Sequence, residues 1–181
     1  MHCKEGSFFI GVDRYFENLP SLLQVFGKEG NYWITIEELI GDETAIDAES
    51  LADWMLLLLT RFLHDLQKRP ITQEIMRWEL HEGNELTHEL AKVRDLVATE
   101  SLEFLNSKFS FPLDKDISAI SAVLIAGIVY LVLRTKVSNT FLGIDFSSPT
   151  GWQRIEGALA SLTQAIVESD IKNLVQKSQD S

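Results

Sequence analysis

Cysteine is nearly missing from this chain of 181 residues: Cys3 stands alone. A single thiol excludes an intrachain disulfide and fits a reducing, cytoplasmic setting. Basic residues are also in short supply. Sixteen Lys plus Arg face 27 Asp plus Glu, a formal charge of −11, whereas a freestanding nucleic-acid binder draws most of its non-specific affinity from a basic excess. No charged-then-apolar pattern opens the chain, so export is not expected. A Gly-rich phosphate loop, a nucleophile elbow and an ordered Ser-His-Asp set are all lacking, so the sequence indicates no enzyme and no cofactor. Long apolar runs are limited to one, the uncharged stretch from Ile117 to Leu133. A spanning helix needs about twenty apolar residues. This run is shorter, contains Ser118 and Ser121, and is closed by Asp116 and Arg134, so it reads as a buried helix and not as a membrane span.

Strand signals are nearly absent as well. Apolar and polar residues do not alternate for long, and no Asn-Gly or Gly-Asn pair separates two β-branched runs. Helical periodicity is widespread instead, and the chain reads as a single all-α domain. From Ala48 to Arg69, Leu51, Met55, Leu58, Phe62 and Leu66 recur at spacings of three and four before Pro70 ends the segment. Trp54, Leu56, Leu57 and Leu59 make its first half apolar nearly all round, which requires cover on more than one side. Pro70 can open the next helix, which ends near Gly83. Asn84 is placed to cap a long helix to about Lys108, with Leu86, Leu90, Val93, Val97 and Phe104 on one face. Phe111-Pro112 breaks it. Asp114 or Asp116 then caps the apolar helix to Lys136, and Ser148-Pro149 starts a last helix to about Val175. Between Gly27 and Ala48 a short helix is expected around Ile36 to Ile40.

One candidate metal constellation exists. His81, Glu85 and His88 are spaced four and three apart, and Glu85 to His88 spells the Glu-x-x-His of di-iron bundles. No second such motif accompanies it, and Gly83-Asn84 separates His81 from the others, so a solvated polar face is the better reading and no metal is expected. The last helix carries Trp152, Ile155, Leu159, Leu162 and Ile166, spaced three, four, three, four. That seam suits a shallow crossing against another helix. The preceding helix offers small residues, Ala122 and Ala126 among them, that allow close approach. Periodicity alone leaves a monomer core and a dimer interface equally open.

Several motifs then fall in a familiar order. Val12-Asp13-Arg14-Tyr15-Phe16-Glu17-Asn18-Leu19-Pro20-Ser21-Leu22-Leu23 resembles the end of the helix-turn-helix of TetR-type (tetracycline-repressor-like) transcriptional regulators, where an aromatic pair closes the recognition helix. Arg69-Pro70, Arg77-Trp78-Glu79-Leu80 and Asn84-Glu85-Leu86-Thr87 resemble a stretch of one branch of that family. Gly143-Ile144-Asp145 and Gly151-Trp152-Gln153-Arg154-Ile155 are similar to the junction before its last helix. The resemblance covers the chain from about Gly6 onward.

It implies a ligand-responsive regulator with three parts. Residues 1–26 would be a remnant of the DNA-binding domain and connecting helix, 27–177 a helical ligand-binding and dimerisation domain, and 178–181 a tail. Few residues precede the motif, so the DNA-binding domain is expected to be truncated. Arg14 and Tyr15 would be vestigial phosphate contacts, and DNA would be bound only if a complete N-terminal domain were supplied. The resemblance further implies a homodimer through the last two helices, with Ala122, Ala126, Trp152, Ile155, Leu159, Leu162 and Ile166 at the interface. It also implies an apolar pocket for a hydrophobic small-molecule effector, lined by some of Trp54, Leu58, Phe62, Trp78, Leu86, Phe104 and Tyr130, with Glu79 as the charged anchor. A pocket of ordinary ligand-binding size, about 300–1,000 Å³, is expected. The alternative is a helical protein-interaction or small-molecule-carrier module with no direct role at DNA.

Overall fold

Ser50 and Asp53 fix where the longest apolar stripe of the chain becomes a helix. The Asp53 N–H donates to Ser50 Oγ at 3.2 Å, and the Ser50 N–H donates to Asp53 Oδ2 at 3.1 Å, a reciprocal capping box that satisfies two otherwise orphaned donors. The computed structural model describes residues 32–41, 48–82, 85–109 and 116–179. Among them the elements are α1 (Ile36–Ile40), α2 (Leu51–Gln67), α3 (Pro70–Glu82), α4 (Glu85–Phe109), α5 (Ile117–Arg134), a hairpin of β1 (Thr140–Phe141) and β2 (Ile144–Asp145), and α6 (Pro149–Gln179). The domain is all-α apart from that hairpin.

Helix α2 is the axis of the bundle and touches every other helix. Ala52, Trp54, Met55, Leu58, Leu59, Phe62, Leu63 and Leu66 are all buried, so it is covered on more than one side, as its apolar first half requires. Its C-terminal carbonyls are capped from the next element. Gln73 Nε2 donates to Leu66 O at 2.6 Å and to Gln67 O at 3.2 Å, which allows a buried amide at the start of α3. Helix α1 has its own capping box, Thr35 with Glu38, and closes at Gly41 with φ of 66°. Arg61 reaches from α2 to donate to the Leu39 and Ile40 carbonyls, so α1 is anchored to α2 by both packing and charge.

Asp116 caps α5 by accepting from the Ala119 N–H at 2.9 Å. The expectation that this helix is buried is corrected by the structure. Of its side chains only Ile117, Ile128, Val132 and Leu133 are buried; Ala119, Ala122, Val123, Ala126, Gly127 and Tyr130 face outward. The helix is long and apolar enough to cross a membrane by length and composition alone.

The hairpin after α5 was not signalled by the sequence, because Leu142-Gly143 does not look like a tight turn. Both residues have positive φ, 48° and 74°, the pattern of a two-residue turn whose twist matches the strands. A leucine held there costs on the order of 1–2 kcal/mol. The hairpin returns the chain so that Phe146 is buried against Trp152, ring centroids 4.8 Å apart, and Trp152 Nε1 donates to Phe146 O at 3.1 Å.

Helix α6 extends to Gln179, past the expected end near Val175. Its three-four seam is turned largely toward the core of its own chain. Leu159 is buried, and Trp152, Ile155 and Ile166 pack against the same core, so four of the five seam residues serve the fold of one chain. Leu162 alone of the seam is exposed. The physical reason is that α2 has apolar surface to spare and takes up the seam itself.

Gly151 marks the closest approach in this region. A Cβ added there would stand 1.8 Å from the Asp145 carbonyl oxygen, so the first turn of α6 can lie on β2 only without a side chain. Gly151→Ala is expected to lower stability by about 1–3 kcal/mol, the usual cost of overpacking a site that cannot yield. Urea denaturation of the variant checks this, and an unchanged midpoint would contradict it.

Candidate functional site

The residues that follow position 31 build one wall of a cavity. Tyr32, Trp33 and Ile34 form no helix, yet all three are buried. The Tyr32 carbonyl accepts from Thr72 Oγ1 at 2.5 Å, and its hydroxyl accepts from Arg94 Nη1. These bonds pin a non-helical strap across α3 and α4. Behind it lies a cavity of about 180 Å³. Trp33 and Ile34 close one side. Met55, Leu58, Leu59 and Phe62 come from α2, and Arg94, Ala98, Ser101 and Leu105 from one stripe of α4. Ser121, Ile125 and Val129 of α5 complete it.

Arg94 supplies the charged pole. Its side chain is 11% exposed and its Nη2 donates to Glu79 Oε2, the carboxylate being 25% exposed. The guanidinium carbon also stands 5.8 Å from the Trp33 ring centroid. Arg94 therefore joins α3, α4 and the strap through one planar group, a role suited to its fixed fork of donors. Burial pushes the Tyr32 hydroxyl above its ordinary pKa of 10.0, opposed by the charge and hydrogen bond of Arg94 and assisted by the charge of Glu79.

The expected pocket residues divide. Leu58 and Phe62 line the cavity. Glu79 stands behind its wall, engaged by Arg94, and is one partner removed from any ligand. Trp54 and Phe104 lie elsewhere: their rings meet edge to face at 5.2 Å, Lys108 Nζ sits 4.5 Å from the Trp54 ring, and Trp54 Nε1 donates to Ala48 O at 2.9 Å. Tyr130 is half exposed and stacks on Phe141 at 5.5 Å. The side chains of Trp78 and Leu86, and all of Arg14 and Tyr15, lie outside the described residues. The cavity, at about 180 Å³, is smaller than the expected 300–1,000 Å³.

Most of the lining escaped the sequence reading, Trp33 and Arg94 among it, as did Tyr32, which holds the strap. A signal for Arg94 existed, since it interrupts the apolar stripe Leu90, Ala98, Leu105 of α4 at helical spacing. The strap carried no periodicity to read. His81 and His88 are exposed, and among the described residues no group of three or more His, Cys, Asp or Glu side chains could hold a metal. A wider groove of about 450 Å³ lies between Gln67, Gln73, Thr135, Lys136, Asn139 and Trp152. Its walls are mixed and open, so it offers little desolvation to a small molecule.

The Tyr32 shift gives a signed expectation. A raised folded pKa means that the group contributes its full stability below the unfolded value, and that this is lost as pH rises through the folded value. Stability should therefore decline above about pH 10, and Tyr32→Phe should flatten that decline. Removing the Arg94 charge by Arg94→Met should move the Tyr32 transition to still higher pH in an ultraviolet difference titration. A transition that moves down would contradict the arrangement.

No family model, curated protein or solved structure matches this chain, so its resemblance to TetR-type regulators rests on the sequence motifs.

Proposed function

We propose that this chain is the ligand-binding and dimerisation portion of a TetR-type transcriptional regulator, acting as a homodimer with a small apolar effector in the cavity behind the strap. The observation that carries the reading is an exposed, small-residue surface on α5 and another on α6. Ala119, Ala122, Val123, Ala126 and Gly127 on α5, with Gly157, Ala158, Ser161, Leu162 and Ala165 on α6, are exposed and uncharged. Small residues at helical spacing let backbones approach closely, and Val123 at 72% and Leu162 at 49% exposure are unfavourable to leave in water. The α5 and α6 surfaces of a second copy would cover them as a four-helix contact. Dimers of this kind bury on the order of 2,000 Å² or more.

Two features support a link between effector and output. Helix α5 meets the cavity through Ser121, Ile125 and Val129 and exposes Ala122 and Ala126 on the adjoining side, so one rigid element borders both. The strap that walls the cavity continues directly into residues 1–31, where the Arg14-Tyr15-Phe16 motif stands. An effector would act by binding one arrangement of the paired chains more tightly than another.

Sedimentation equilibrium at micromolar concentration should give a mass near twice 20.5 kDa. Ala126→Glu and Leu162→Glu, both at exposed positions, should yield a folded monomer with unchanged helical circular dichroism. Leu159→Glu, at a buried position, should instead impair folding. A folded monomer from the unaltered chain, or recovery of the chain with membranes that Ala126→Glu releases, would overturn the dimer.

A further inference from the structure

Among the described residues the cavity wall carries one largely buried charge, and that selects its ligand. Its walls, among the described residues, are aliphatic and aromatic except for Arg94, Asp95, Ser101 and Ser121. Ser101 Oγ already donates to Val97 O at 2.7 Å within its own helix, and Asp95 is exposed. Arg94 is thus the one largely buried charge on the wall, and it is already matched by Glu79.

That pairing sorts ligands by charge. A carboxylate entering beside Arg94 would place a second anion on a guanidinium that already holds one, leaving a net negative charge among apolar walls, which is costly. A cation would meet the guanidinium itself, and its only opposite charge on the wall, Asp95, is solvated and therefore weak. A neutral acceptor avoids both costs. The guanidinium carries five N–H groups; one goes to Tyr32 and one to Glu79, so its donor capacity exceeds those two bonds.

Size and shape narrow the class further. A dry cavity of about 150 Å³ takes up benzene, so about 180 Å³ admits one ring with a substituent of two or three atoms. Trp33 and Phe62, with ring centroids 5.5 Å apart and planes tilted by 56°, offer two aromatic surfaces of different orientation to that ring. The strap also forms the entrance side: Trp33, Ile34 and Val97 line both the cavity and an outer groove of about 250 Å³.

We infer that the ligand is a small uncharged monocyclic aromatic molecule bearing one hydrogen-bond acceptor, such as a ketone or ester oxygen, with that oxygen on Arg94 and the ring packed against the wall formed by Trp33, Phe62 and Leu58. This deepens the reading of the cavity as an effector site and rests on it.

Three probes of nearly equal size separate the possibilities: acetophenone, ethylbenzene and benzoate. Isothermal titration of the full chain should show acetophenone binding about tenfold or more tightly than either of the others. Glu79→Gln removes the counter-charge while keeping a hydrogen-bond acceptor on a partly exposed side chain. It should raise benzoate affinity about tenfold and leave acetophenone within about twofold. Ala98→Leu, which fills the cavity from α4, should abolish uptake of all three with circular dichroism unchanged. If ethylbenzene matches acetophenone, or Glu79→Gln leaves the benzoate affinity where it was, the ligand class is wrong while the effector cavity stands. If the folded chain takes up none of the probes at millimolar concentration, the cavity is not an effector site and the ligand class falls with it.

Discussion

The described helices are all arranged around one that cannot face water. Helix α2 buries eight side chains across its seventeen residues, with Leu63 at 0% and Trp54 and Leu66 at 1% exposure. Each large apolar side chain so buried contributes about 1.5–3 kcal/mol, provided neighbours surround it. That requirement recruits α6 along one side, α5 along another, and α1, α3 and α4 around the rest. It also explains why α6 turns its regular apolar seam inward. The surface of α2 is larger than α5 alone covers, so Leu159 and its neighbours are used in the fold, and the small residues beside them become the outer face.

The cavity is a by-product of the same arrangement. Trp54, near the start of α2, interlocks with Phe104 and Lys108 and leaves no space. One turn further on, Leu58 and Phe62 face the strap and α4 across a gap that neither fills. What keeps that gap from collapsing is polar and not apolar. Arg94 holds α4 to α3 through Glu79 and to the strap through Tyr32, while Thr72 bonds the strap backbone to α3. Planar, multidentate contacts of this kind fix distances more sharply than hydrophobic packing does, because they lose strength quickly with displacement.

The helices were largely legible before any coordinate. Pro70 closes α2, Asp114 or Asp116 stands ready to open α5, and Ser148-Pro149 opens α6; each is a local signal whose chemistry acts within three or four residues. The hairpin was not legible. Leu142 has no preference for positive φ, and it adopts that conformation because Phe146 and Trp152 must meet and Gly151 must lie on the Asp145 carbonyl. The site was legible in part. Leu58 and Phe62 stand on a stripe that any helical reading picks out, but nothing local distinguishes them from Trp54, one turn earlier on the same helix. Tyr130 looked like another pocket aromatic and stacks instead on Phe141 at the surface.

What the sequence by itself determined is therefore the set of helices, the order in which they come and the surplus of apolar surface on α2, because caps, breakers and periodicity are properties of neighbouring residues. What only the tertiary structure decided is which side of each helix faces the core, where the packing leaves a void, and that Arg94, fifteen residues from Glu79 and sixty-two from Tyr32, becomes the pole of that void. Those outcomes depend on how several helices share one volume, and no stretch of chain shorter than the whole bundle contains that information.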